Sequence, residues 1–163
     1  MELQMKESIH IRPYRPEDLE ALRRITVESF GGVALEALIE DRFGRWNERD
    51  WKARKADHMD EDVEANAAGC FVAERGEEIL GYITTRVDRA NLRGRIPNMA
   101  VVESARGLGL GRRLIHHALD YFRSEGLKVA QIETMATNPI GQHLYPSCGF
   151  EEVARQVHYA MKL

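Results

Sequence analysis

Apolar and polar positions along this chain follow two rhythms, one helical and one of period two, and the places where the rhythm changes mark its elements. Ser8 to Arg12 alternates as an edge strand does, and Pro13 and Pro16 then punctuate a turn. Pro16-Glu17-Asp18 supplies a favourable first helical turn, with Leu19, Leu22, Ile25 and Phe30 facing inward until Gly31-Gly32. Leu35, Leu38, Ile39 and Phe43 predict a second short helix, ended by Gly44. Between Asp41 and Glu64, six basic and eight acidic side chains surround Trp46, Trp51 and Met59. That stretch reads as a mainly solvated helix anchored on the core by its tryptophans.

From Cys70 the period becomes two. Phe71 to Glu74, the Arg75-Gly76-Glu77-Glu78 turn and Ile79 to Val87 predict a hairpin with a bulge at Gly81. Asn91 to Gly94 makes the next turn, into an apolar strand that ends near Val102. Helical spacing returns with Leu110, Leu114, Ile115, Ala118, Leu119 and Phe122 on one half of a wheel and Arg112, Arg113, His116, Asp120 and Arg123 on the other. Gly126 stops that helix. Leu127 to Thr134 predicts a strand, Asn138 to Ser147 a short helix, and Phe150 to Val153 with Val157 to Met161 a closing hairpin. The predicted order is β-α-α-β-β-β-α-β-α-β-β, an α/β chain without internal repeat, linker or low-complexity segment.

The 163 residues suit one domain spanning 1–163, and 44% hydrophobic with 30% charged residues is an ordinary globular balance. A net charge of −3 gives no general attraction to nucleic acid or to an anionic membrane. No apolar run approaches a membrane span, and Met1 to Glu7 lacks the apolar core of a signal peptide, so a cytoplasmic protein is expected. Cys70 and Cys148 have no metal-ligand spacing and read as reduced thiols, so no metal site is expected.

One stretch carries chemistry. In Arg106-Gly107-Leu108-Gly109-Leu110-Gly111-Arg112-Arg113, three alternating glycines join a strand directly to a helix, as a phosphate-binding nest requires. A dinucleotide fingerprint beginning at Gly107 needs glycine at 112, where arginine stands, and the Gly-Lys-Ser/Thr of a P-loop is absent. Arg106, Gly109 and Gly111 match the Arg/Gln-x-x-Gly-x-Gly/Ala signature of the GCN5-related N-acetyltransferases, and Asn98-Met99-Ala100-Val101 is similar to that family's fourth strand. Asn138, Leu144-Tyr145 and Gly149-Phe150 resemble its closing signature, about 30 residues farther on. The likeness is strong from Phe71 to Leu163.

The resemblance implies a mixed sheet whose fourth and fifth strands splay into a V that holds acetyl-CoA. Met99, Ala100 and Val101 would pair with the pantetheine amides. The backbone of Arg106, Gly107, Leu108, Gly109, Leu110, Gly111 and Arg112 would cradle the pyrophosphate. Asn138 would hold the cosubstrate or cap the helix that carries Tyr145. Tyr145 stands at the family's general-acid position. The family's fourth-strand glutamate has no counterpart between Leu92 and Val102; Glu133 is its best substitute, in an arrangement with Tyr145 that resembles the ribosomal-protein alanine N-acetyltransferases. Gly141 replaces a more usual alanine, and Pro146 is expected to end the last helix one residue early.

The activity implied is acetyl transfer to a primary amine, either a small molecule or a peptide N-terminus, in a chain compatible with a homodimer. A non-catalytic acyl-CoA sensor is the alternative. Phe30 to Met59 and Val153 to His158 are expected to wall the acceptor side. The acids and tryptophans there suit a cationic amine.

Overall fold

The computed structural model describes residues 8–163; the polar Met1 to Glu7 stretch lies outside them. The elements are β1 (His10–Pro13), α1 (Leu19–Ser29), α2 (Leu35–Phe43), α3 (Trp51–Asn66), β2 (Phe71–Arg75), β3 (Glu78–Ile83), β4 (Arg86–Asp88), β5 (Arg93–Ile96), β6 (Met99–Val101), α4 (Leu110–Ser124), β7 (Val129–Ile132) and α5 (Pro139–Ser147). They build two sheets, ordered β1-β2-β3-β6 and β4-β5-β7. Every pairing is antiparallel except β5 with β7, which run parallel. Among the described residues no helix is long and apolar enough to cross a membrane.

Alternation along the strands explains the layers. Phe71 and Ala73 of β2 face α4, packing with Leu110, Leu114, Ile115, Ala118 and Phe122. Val72 and Tyr82 point the other way, onto Leu22 and Ile25 of α1 and Met59 of α3. The four-stranded sheet is therefore buried on both faces, with α4 beneath and α1 and α3 above. Leu80 is the extra residue of a bulge, since Ala73 pairs with Gly81 and Glu74 with Ile79. A Cβ on Gly81 would stand 2.8 Å from the Ala100 carbonyl oxygen, so only glycine lets β6 approach there.

The strand predicted from Ile79 to Val87 is interrupted at Thr84-Thr85 and becomes β3 and β4. The strand that follows is interrupted at Pro97-Asn98 and becomes β5 and β6. The two interruptions face each other, for the Thr84 amide donates to the Asn98 carbonyl at 2.9 Å.

One expected element is absent. Residues 151–163 form no hairpin: they run on from Phe150 without a turn or bend, every one of them exposed. The physical reason lies between the two expected strands, where Ala154-Arg155-Gln156 contains none of the glycine, asparagine, aspartate, proline or serine that reverses a chain tightly.

Candidate active site

The cleft begins at the double interruption. β7 pairs with β5 from Arg93↔Val129 to Ile96↔Ile132, whereas β6, the continuation of β5, pairs only with β3. Beyond Ile96 and Ile132 the neighbouring strands part company, which is the expected V. Met99, Ala100 and Val101 lie on β6, the last strand of its sheet, so one backbone edge there is open to an added extended group.

Behind β6 the chain makes a short turn, Glu103–Ala105, and enters the glycine loop. Gly107 and Gly109 adopt φ of 77° and 72°, the left-handed region, and a Cβ on either would meet nothing within 4 Å. These two glycines serve the backbone's path into α4, with Gly109 as its N-cap and the open side facing outward. Gly111 differs from the expectation of a third nest glycine. It sits inside α4, where an added Cβ would stand 3.2 Å from Leu144 and 3.7 Å from Met99. Its role is close packing, and that packing brings α4, β6 and α5 together at the cleft.

Arg106, Leu108 and Arg112 are exposed, while Leu110 is buried beneath the loop. The Arg112 guanidinium donates to the Ser147 carbonyl at 2.8 Å, at the end of α5, and Arg113 donates to the Ile9 carbonyl at 2.9 Å. These two arginines tie α4 to its neighbours, leaving Arg106 as the loop's cation without a side-chain partner among the described residues.

Tyr145 is held by local backbone chemistry. The helix α5 starts at Pro139, with the Asn138 side chain accepting from the Gly141 amide at 3.4 Å, so Asn138 is a cap. Contrary to expectation α5 continues through Pro146 to Ser147, and the proline forfeits only the one bond that an amide at 146 would have given the Gln142 carbonyl. Gly149, at φ 97°, reverses the chain, the Phe150 amide donates to the Tyr145 carbonyl at 3.2 Å and the Gly149 amide to Pro146 at 3.0 Å. This is the Schellman pattern, completed by the edge-on contact of the Phe150 and Tyr145 rings at 6.4 Å. Burial pushes the Tyr145 hydroxyl up to about 12. Cys148 packs in the core around it, and His143 is exposed.

Glu133 follows β7 directly, its carboxylate accepting from Arg95 Nε of β5 at 2.6 Å in an exposed pair. No hydrogen bond joins it to Tyr145.

On the acceptor side, much of the expected attraction for a cation is already used within the protein. Arg54 lies 3.8 Å above the Trp46 ring and pairs with Glu40 at 3.0 Å. Asp57 accepts from Arg49, Asp60 from Arg23, and Asp50 caps α3.

Sequence reasoning missed a buried polar cluster that holds the interruption. Asp62 Oδ2 accepts from the Thr84 hydroxyl and from Asn98 Nδ2, both at 2.7 Å, and its Oδ1 accepts from Arg86 at 2.7 Å. Lys55 donates to Asn98 Oδ1 at 2.9 Å and lies 4.5 Å from the Phe30 ring. Burial pushes the Lys55 ammonium below the usual lysine range, against the pull of Glu36 and Asp62. Glu36 in turn accepts from His58 at 2.9 Å. The signal was present: Lys55, Met59 and Asp62 stand at i, i+4 and i+7, the spacing of one buried helical face.

Comparison with known proteins adds an independent line. The chain is 30% identical over 159 residues to a mycothiol acetyltransferase of Thermomonospora curvata, covering 97% of this chain and 49% of that protein. It thus spans about half the length of the curated relatives it matches. Among solved structures, the aminoglycoside N-acetyltransferase AAC(6')-Iy in complex with CoA superposes with a TM-score of 0.69 at 19% identity over 99% of each chain. PaiA N-acetyltransferase from Thermoplasma acidophilum, in complex with coenzyme A, gives 0.71 at 19% identity over 88% of this chain and 90% of that one. A family model described as acetyltransferase (GNAT) family matches residues 33–150, which contain the split strands, the glycine loop and the capped Tyr145 helix, and this chain belongs to that family.

Proposed function

We propose that this chain transfers the acetyl group of acetyl-CoA to a primary amine. The observation that carries the reading is the convergence of three parts on one cleft: the open edge of β6, the left-handed Gly107 and Gly109 at the start of α4, and the Tyr145 helix packed against both through Gly111. The residues fit the cosubstrate, because the loop presents backbone amides and the α4 N-terminus outward and Arg106 adds an exposed positive charge. Met99 to Val101 would receive the pantetheine amides, and Arg106 to Arg112 the pyrophosphate. Acetyl-CoA supplies an activated acyl group with a thiolate as its leaving group.

The chain's own residues then have two tasks. Tyr145, with a hydroxyl pushed up to about 12, keeps its proton throughout the neutral range and meets the departing sulfur as a donor. Glu133 receives the proton released as the amine nitrogen bonds to the acyl carbon and the carbon–sulfur bond breaks. For this its carboxylate must loosen from Arg95, a small cost for an exposed pair. The same pair favours the second reading, an acyl-CoA-binding sensor, in which Glu133 stays bound to Arg95 and no turnover occurs.

Release of free thiol from acetyl-CoA, measured against polyamines, aminoglycosides, amino acids and short peptides, separates the two. Amine-dependent release is expected, with Tyr145→Phe about 10- to 100-fold slower and calorimetric affinity for CoA unchanged. Tight CoA binding without release on any amine would establish the sensor.

A further inference from the structure

We infer that Lys55, His58 and Glu36 form a proton relay for the acceptor amine, in which Lys55 takes the first proton from the arriving ammonium and passes it through His58 to solvent. The inference rests on the acetyl-transfer reading and supplies a step which that reading leaves open. An alkylammonium must lose one proton before its nitrogen has a lone pair to attack with, and a second as the carbon–nitrogen bond forms. Glu133 serves the second. The first falls to a group on the side from which the amine approaches. Tyr145 packs with α4 beneath the sheet, which leaves the face of α1 and α3 to the amine. Lys55 stands on that face and donates to the side chain of Asn98, the residue immediately before β6, where the V opens.

Hydrogen bonding fixes the order of the relay. The Glu36 carboxylate, held ionised at about 2, lies 2.9 Å from His58 Nε2, so that nitrogen carries the proton. Nδ1 of the neutral ring is then an acceptor, and Lys55 Nζ donates to it at 3.3 Å. Of the three N–H bonds of a lysine ammonium, Asn98 and His58 take two, the Phe30 ring lies 4.5 Å away, and the third has no acceptor among the described residues. The charged groups that face Lys55 are Glu36 from α2 and Asp62 from its own helix. Neither pairs with it directly, since Glu36 is engaged by His58 and Asp62 by Arg86 of β4. A cation only 7% exposed and without a direct counter-ion gives up its proton readily. Transfer to His58 leaves the net charge of the three groups unchanged and sets an imidazolium against the Glu36 carboxylate. In balance, an N–H bond of the acceptor ammonium breaks, its proton joins the Lys55 lone pair, a Lys55 proton moves to His58 Nδ1, and the imidazolium, 35% exposed, sheds one proton to water. His58 and Glu36 act through Lys55 and do not touch the acceptor.

The test is the pH dependence of kcat/KM, read as thiol release, with a primary alkylamine of pKa about 10 that the parent acetylates. From pH 10 to pH 8 the parent should stay level, because the proton lost by the amine is kept by the relay. His58→Gln still accepts from Lys55 but carries no proton onward, and Lys55→Arg keeps the cation but never releases its proton. Each should match the parent near pH 10 and fall about tenfold for every pH unit below it, reaching about 100-fold at pH 8, because only amine already neutral in solution then reacts. Calorimetric affinity for CoA and circular dichroism should be those of the parent, and the partly exposed position of His58 keeps the test decisive should Lys55→Arg fail to fold. Variant profiles parallel to the parent's, whether at the same level or uniformly lower, would overturn the relay and leave Lys55 a structural tie. A parent that releases no thiol with any amine would instead overturn acetyl transfer itself, and the relay with it.

Discussion

At the scale of single residues, the site depends on places where one atom more would not fit. Gly141 replaces the alanine more usual in the family, and the reason is Thr134: a Cβ at 141 would lie 2.5 Å from its hydroxyl oxygen and 2.9 Å from its Cβ. Gly141→Ala should therefore cost about 1–3 kcal/mol by overpacking, although alanine is the better helix former. The Thr134 hydroxyl is buried without a hydrogen-bond partner among the described residues, so Thr134→Val forfeits no bond there and should change stability by less than about 1 kcal/mol. Denaturant midpoints of the two variants check both statements, and a Gly141→Ala chain as stable as the parent would refute the packing argument. Gly111 obeys the same logic from the other side of α5, against Leu144.

At the scale of elements, α3 emerges as a structural clamp. Its Asp62 satisfies Thr84, Asn98 and Arg86 at once, and its Lys55 holds the other end of the Asn98 amide. Asp62→Ala strips the partner from a buried network and should lower unfolding free energy by about 3–5 kcal/mol, with Asp62→Asn losing less because an acceptor oxygen remains. Equal loss in the two variants, read from chemical denaturation, would show that the carboxylate's charge rather than the retained acceptor oxygen matters there. Much of the architecture around this clamp was legible in the sequence. The stripe of α4, the β2–β3 hairpin and the loop glycines each announce themselves by local spacing. The polar face of α3 did not, because Lys55 and Asp62 look like solvated charges until their partners, 43 and 22 residues away, are known. The run at 151–163 misled in the opposite sense: its period is that of a strand, but a strand needs a neighbour, and periodicity does not supply one.

At the scale of the whole molecule, charge governs the acid limit of stability. Burial opposes ionisation of Glu36, yet the His58 imidazole and the nearby Lys55 outweigh it and hold the carboxyl at about 2, against an ordinary value of 4.5. A depressed carboxyl stabilises the fold fully above its unfolded value, and that contribution is lost as pH falls from about 4.5 toward 2. Melting temperature measured from pH 7 to pH 2 should fall more steeply below pH 4.5 in the parent than in Glu36→Gln. The two curves should converge near pH 2, and parallel curves would exclude Glu36 as a source of acid sensitivity.

The facing interruptions at Thr84-Thr85 and Pro97-Asn98 also have a mechanical consequence. Two short sheets joined along one line, with the Thr84 amide donating to the Asn98 carbonyl at that line, can tilt against each other while every ladder inside them stays intact. The angle between them is the aperture of the cleft, and Asp62 and Lys55 grip that line from the face opposite α4. A changed side chain on α3, which holds that line, is therefore expected to alter the aperture of the cleft without touching its lining.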